Sequence, residues 1–372
     1  MSSAPVTVSL ADLKRGSVPI SSLVDAFGPS SLGILIVKDL PSRFLSLRES
    51  LLQYASYLAR LPEAELDLLT SPETHYNVGW SHGKEKLKSG AYDTHKGSFY
   101  IGCRLRYASE DVAVSKTSAL REQSVADQVQ FHDYTAPSLW PAEELLPGFK
   151  AVFEELCDLI MEFASTVAKA CDSFAMEHVE GYRGGFLEEV VKKSITHKAR
   201  LLHYFPSESS SVNGSTNATA SNGSREDDDD WCATHLDDGC LTALTSALYI
   251  DESGPLPPIM TSNGTPELKN LNTLSTPPDP QAGLYIASRT SSIVKVSIPP
   301  DCLAFQTGEA LELITKGAFK AVPHYVRAPR ECKGVARNTL ALFMQPNLDV
   351  VVDEEKDLTF GEFVKEIAER NT

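Results

Sequence analysis

The sequence predicts an α+β protein, in which a jelly-roll or barrel of short strands is flanked by helices and preceded by a mixed α/β N-terminal region. Three observations carry this. From residue 198 to 344, short apolar runs recur between turns, and many short strands so spaced build a jelly-roll or barrel. Before them, 41–61 and 149–174 place apolar residues every three or four positions, the period of a helix with one buried face. Residues 5–61 alternate strand-like and helix-like patterns.

Taken in order, residues 6–10 and 32–37 are short and apolar, hence strands. The helix over 41–61 has Pro41 near its start and Pro62 beyond its end. Residues 71–97 are polar and contain glycine and aromatics, the composition of a long functional loop. A strand follows at 98–104. Pro147-Gly148 introduces the helix over 149–174, and a second helix occupies 186–193. Strands are then expected at 200–205, 241–250, 284–288, 293–298, 303–307, 325–326 and 335–344, with an amphipathic helix closing the chain at 360–370. Two insertions interrupt the β region. Residues 207–230 are Ser/Asn-rich and end in four Asp, a composition that buries too little apolar surface to order. Residues 254–281 are Pro-rich. The resulting division is 1–110 (N-terminal α/β region), 111–195 (helical support), 196–350 (β core with both insertions) and 351–372 (C-terminal helix).

A net charge of −16 repels phosphate backbones, so nucleic acid is not the expected partner. Six acidic residues against one Arg in 207–230 account for part of it. The seven cysteines are odd in number and include no Cys-x-x-Cys, which fits a reducing compartment: cytoplasmic, with the nucleus left open. No apolar run approaches the roughly 20 residues that span a bilayer, so no membrane is expected as partner. The chain offers no reading of oligomeric state.

The chemistry lies around His235-Leu-Asp237. Residues i and i+2 of an extended chain share a face, so an imidazole and a carboxylate stand side by side. Alone the pair reads equally as a hydrogen-bonded structural histidine. A third ligand would complete a 2-His-1-carboxylate facial triad, which leaves positions open on the metal. His324 follows a turn, a short helix and Gly317. Beyond it Arg337 and Thr339 lie two apart on a strand, presenting a guanidinium and a hydroxyl to one carboxylate.

The whole set resembles the isopenicillin N synthase-like family of 2-oxoglutarate/Fe(II)-dependent dioxygenases. The matching residues are His235-x-Asp237, Gly317-Ala-Phe319-Lys320-Ala321-Val-Pro-His324, Arg337-x-Thr339 and Phe343-Met-Gln-Pro346. Lys96-Gly-Ser-Phe99-Tyr-Ile-Gly102 and Ser138-Leu-Trp140-Pro141 through Pro147-Gly148-Phe149 extend the likeness over most of the chain outside the insertions. The resemblance implies a double-stranded β-helix (jelly-roll) core. It implies Fe(II) on His235, Asp237 and His324, and 2-oxoglutarate with its distal carboxylate on Arg337 and Thr339. O2 would be consumed and succinate and CO2 released as a substrate, expected to be a small molecule, is hydroxylated or desaturated. With Asp237 as a ligand no position is left for halide.

Two departures stand out. His324 and Arg337 are 13 residues apart, longer than is usual in that family, and Arg327 and Arg330 in the intervening loop are rival anchors. The family's Asn-Tyr-Tyr-Pro strand end, whose last Tyr touches the cosubstrate, reads here His203-Tyr204-Phe205-Pro206. Phe205 lacks the hydroxyl, and alternation groups His203 with Phe205, as residues facing the cavity or as packing. Trp80 and Phe99 are read either as substrate-lining or as core. The missing hydroxyl keeps open an Fe(II) oxidase that does not use 2-oxoglutarate, and a catalytically silent binding protein is the reading from a different class.

Overall fold

The computed structural model describes all residues except 1–3, 86–91, 104–130, 207–229, 263–264, 268–270, 288–292, 328, 330–333 and 371–372. The disorder expected for 207–230 therefore concerns residues outside the described set, apart from the last.

The strands are β1 (Val6–Ser9), β2 (Ile34–Lys38), β3 (Gly79–His82), β4 (Lys96–Gly102), β5 (Lys198–Tyr204), β6 (Asp230–His235), β7 (Leu241–Thr245), β8 (Leu248–Asp251), β9 (Met260–Ser262), β10 (Thr265–Glu267), β11 (Thr273–Leu274), β12 (Gly283–Ala287), β13 (Ile293–Val296), β14 (Leu303–Thr307), β15 (His324–Arg327) and β16 (Val335–Met344). Helices α1 (Leu10–Arg15), α2 (Ile20–Phe27), α3 (Ser42–Ala59), α4 (Glu63–Leu68), α5 (His132–Thr135), α6 (Phe149–His178), α7 (Phe186–Lys193), α8 (Glu309–Ile314) and α9 (Phe360–Arg370) surround them. A ten-stranded sheet runs β1-β2-β14-β7-β16-β5-β4-β3, with β8 also on β16 and β11 on β8. A four-stranded sheet runs β13-β12-β15-β6.

Two main apolar clusters, with two smaller pairs beside them, result among the described residues. The larger joins α3, α6 and α7 to one face of the large sheet, through Phe44, Leu51, Phe153, Phe163 and Leu342. The smaller holds Ile34, Ile36 and Ala304 of the large sheet with Ile286 of the small one. On β16 the residues alternate: Arg337, Thr339, Ala341 and Phe343 line a cavity. Asn338 faces α3, and its amide donates to the Leu52 carbonyl at 2.7 Å and to Ser56 Oγ at 2.8 Å.

Two strand expectations change. Residues 71–97 are not a simple loop, since β3 lies within them and pairs with β4. Trp80 packs its indole against Gly97, where a Cβ would meet the ring at 2.1 Å. The strand expected at 241–250 parts at Ser246-Ala247. The buried Arg48 of α3 fills the break: Nε and Nη2 donate to the Ser246 carbonyl at 3.1 and 2.8 Å, and Nη2 to the Ala247 carbonyl at 2.9 Å.

His197, just before β5, ties the helices to the sheet. It is fully buried, Nε2 bonds the Val191 carbonyl at 3.1 Å and Nδ1 accepts from Gln345 N–H at 3.1 Å. Burial lowers its pKa from 6.5 to about 4. Above pH 6.5 the ring is neutral in both states and contributes no pH dependence. Between 6.5 and 4 only the unfolded chain takes the proton, so stability falls as pH drops, by on the order of 3 kcal/mol across the window. Denaturant titrations of wild type and His197→Gln from pH 7 to 4 measure this. The variant loses one proton's worth of slope, and equal slopes refute the assignment.

Candidate metal centre and its cavity

His235 ends β6, and its partner across the ladder is His324, the first residue of β15. Their rings lie 4.3 Å apart between centroids. Asp237 follows in the turn after β6. Its Oδ1 is 3.7 Å from His235 Nε2 and 3.8 Å from His324 Nε2. One ligand atom from each of the three falls within 4.8 Å of the others. The side chain of His235 is 41% exposed and that of His324 7%, so the cluster is reached from the His235 side.

The chemistry of the donor set fits a divalent cation. Asp237 Oδ2 is buried with no hydrogen bond, a costly state for a carboxylate oxygen unless something else neutralises it. His324 Nδ1 lies 3.2 Å from the Val322 carbonyl, which fixes the proton on Nδ1 and turns an unprotonated Nε2 toward Asp237. Burial lowers the His324 pKa, with Asp237 opposing, so the ring is held neutral as a ligand must be. The adjacent Asp238 is pushed up to about 6 by burial and by the Asp237 carboxylate.

The turn is clamped from the start of α8. Glu309 N–H donates to the Asp237 carbonyl at 2.8 Å and Gly308 N–H to the Cys240 carbonyl at 3.1 Å. The chains are so close that a Cβ on Gly308 would stand 2.2 Å from the Gly239 carbonyl oxygen and 2.7 Å from that of Asp237. Gly308→Ala must push the turn away, at about 1–3 kcal/mol, and shift the Asp237 carboxylate. Melting temperature and Mn(II) affinity should both fall. A variant equal to wild type in both would contradict the clamp.

A cavity of about 400 Å³ opens beside the cluster and is lined by His235, Asp237, His324, Arg337 and Thr339 together. The structure thus brings together the five residues singled out for metal and carboxylate. Arg327 lies on β15 and is not among the cavity's lining residues, and Arg330 falls outside the described residues.

The other four candidates are not among the lining residues. Alternation on β5 holds, but the side is reversed: Arg200, Leu202 and Tyr204 line the cavity. His203 turns to the helix face, where Nδ1 is 2.8 Å from Asn338 Oδ1. Phe205 packs on His82 and His203. Trp80 and Phe99 are core residues, and the Phe99 ring packs at a tilt against Trp140, Phe149 and Phe153. The physical reason is pairing: Arg337 lies directly opposite Tyr204, so both share a face, and the guanidinium sits 4.9 Å over the phenol ring. Tyr204 is the residue the sequence reading missed, and with it Arg48 and the end of the Pro-rich stretch at Thr273 and Pro277, which also line the cavity.

No known family profile matches this chain, and no curated protein sequence does. Solved structures do. A Caulobacter crescentus protein assigned to the 2OG-Fe(II) oxygenase family superposes with a TM-score of 0.64 at 18% identity, covering 100% of each chain. Neurospora crassa T7H, solved with alpha-KG, gives 0.60 at 18% identity over 97% of this chain and 95% of that one. The rice dioxygenase for auxin oxidation gives 0.56 at 13% identity over 98% and 95%. At these identities the likeness is one of architecture, and the chain has the fold of the 2OG-Fe(II) oxygenases.

Proposed function

We propose that this protein is a 2-oxoglutarate- and Fe(II)-dependent oxygenase that hydroxylates or desaturates a small-molecule substrate, releasing succinate and CO2. One observation carries the reading: three metal-ligand side chains and an Arg/Thr pair from a separate strand converge on one cavity. The large and small sheets then form the two faces of a double-stranded β-helix, with β5, β16, β7 and β14 facing β6, β15, β12 and β13.

His235 and His324 would hold the iron through Nε2 and Asp237 through its carboxylate. When bound, the iron supplies activation of O2 coupled to decarboxylation of the 2-oxo acid. The remaining tasks fall to the chain. Arg337 and Thr339 receive the distal carboxylate by charge-assisted hydrogen bonds. Tyr204 supports the guanidinium from below by its ring face. Apolar walls such as Leu244, Leu284 and Val296 limit water near the reacting centre.

The cavity has the size of small-molecule sites, and T7H has been solved with thymine bound, both of which support a small substrate. No described helix is long and apolar enough to cross a membrane. The alternative of an oxidase without 2-oxoglutarate rests on Phe205; Tyr204, whose ring lies under the Arg337 guanidinium, supports the 2-oxoglutarate reading. The test is an anaerobically Fe(II)-loaded protein supplied with 2-oxoglutarate and O2. Succinate should form in step with O2 consumed. O2 consumption on a substrate without succinate would overturn the reading in favour of the oxidase.

A further inference from the structure

We propose that Arg48 is a second cationic anchor of the cavity, acting with Arg337 and Thr339 on the distal carboxylate of the 2-oxo acid. This rests on the function proposed above.

Arg48 belongs to α3, outside the β core, yet it lines the cavity because it reaches through the break between β7 and β8. It is 1% exposed. Nε and Nη2 are committed to the Ser246 and Ala247 carbonyls. Among the described residues Nη1 makes no hydrogen bond, and no carboxylate lies within ion-pair distance of the guanidinium. Neutral donors would have served to close two carbonyls. The Glu49 carboxylate acts on this guanidinium only through space, without an ion pair, and a buried cation left with a free donor edge is costly unless a ligand completes its bonding. Burial lowers its pKa to about 10 against the opposing pull of the Glu49 carboxylate, leaving it charged at neutral pH.

The register places this cation near the carboxylate anchor. β7 pairs Leu244 with Ala341 of β16, and β8 pairs Leu248 with Asn338. Ser246 and Ala247 therefore stand level with Thr339 and Leu340, and Thr245 Oγ1 accepts from Leu340 N–H at 3.0 Å. With strands about 4.8 Å apart, the Arg48 guanidinium falls within roughly 10 Å of Thr339. The charges in the cavity wall agree. Arg200 is paired with the Glu85 carboxylate, which leaves Arg48, Arg337 and Lys295 against Glu49 and Asp237 in the cavity wall, a positive excess that suits an anionic ligand.

The test uses full-length protein loaded with Mn(II) and two ligands, 2-oxoglutarate and 2-oxopentanoate, which has the same chain but a methyl in place of the distal carboxylate. Calorimetry gives both dissociation constants for wild type, Arg48→Gln and Arg48→Lys. Arg48→Gln should weaken 2-oxoglutarate by about 10- to 100-fold and leave 2-oxopentanoate within twofold. Arg48→Lys keeps the charge but not the planar fork, and should fall between. If Arg48→Gln fails to fold, the lysine variant carries the same comparison. Equal losses for both ligands, or none, would overturn the proposal while leaving the function intact. Wild type that binds neither ligand would overturn the function and this anchor with it.

Discussion

Asp237→Ala should abolish the response of the protein to Fe(II) or Mn(II) without weakening the metal-free fold. Both halves follow from one carboxylate. Metal that binds only the folded state stabilises it by RT ln(1 + [M]/Kd), about 2.7 kcal/mol at a hundredfold excess over Kd. Losing a partner that merely orients a ligand lowers metal affinity about 10- to 100-fold, and losing a ligand should do more, so the stabilisation disappears at that concentration. The metal-free protein behaves differently. Asp237 is buried with Oδ2 unbonded and two histidines within 4 Å of Oδ1. Truncation removes an ill-solvated group, and the backbone bond from Glu309 to the Asp237 carbonyl remains. Melting curves with and without Mn(II) decide the matter. Wild type shifts upward with metal, whereas the variant does not shift and melts at or above metal-free wild type. A retained shift would show that Asp237 is not a ligand. A metal-free variant that melts far below wild type would show the carboxylate to be structural.

How much of this could be read without coordinates depended on what kind of neighbour each residue has. Arg337 and Thr339 were legible because they sit two apart on one strand, a period built into the backbone, and His235 and Asp237 because the same spacing spans the end of β6. His324 was legible through resemblance: the run from Gly317 through Phe319 and Lys320 to His324 is similar to the one that precedes the distal histidine of the dioxygenase family. The sidedness of β5 was not legible. Every residue from Leu201 to Tyr204 is buried, so both faces are covered and the apolar pattern cannot say which one looks into the cavity. Only the pairing of Tyr204 with Arg337 does, and pairing is not local. β3 was hidden for another reason: it is four residues long with Trp80 as its one large apolar side chain, and its ladder to β4 is not visible in local sequence. Arg48 was the least legible of all. Its partners are backbone carbonyls 198 residues away in sequence, at a strand break that no residue type announces.

Arg337→Ala should separate the two ends of the cosubstrate site. Arg337 is buried on the cavity face of β16, with Thr339 two residues on and Tyr204 beneath. Deleting a charge-assisted partner costs about 1.5–3 kcal/mol, so 2-oxoglutarate should bind about 10- to 150-fold more weakly. Mn(II) affinity should stay close to wild type, because the three ligands lie on other segments. Arg337→Lys should recover only part, since an ammonium cannot offer the two parallel donors of a guanidinium. The comparison with Arg48 makes the claim stricter. If both cations grip one carboxylate, the losses in the double variant Arg48→Gln/Arg337→Ala should fall short of additive, because groups sharing a partner couple by about 0.5–3 kcal/mol. Additive losses would place the two cations on different parts of the ligand. An Arg337→Ala variant that binds 2-oxoglutarate as wild type does would move the anchor elsewhere in the cavity wall, where Arg200 and Lys295 are the remaining cations.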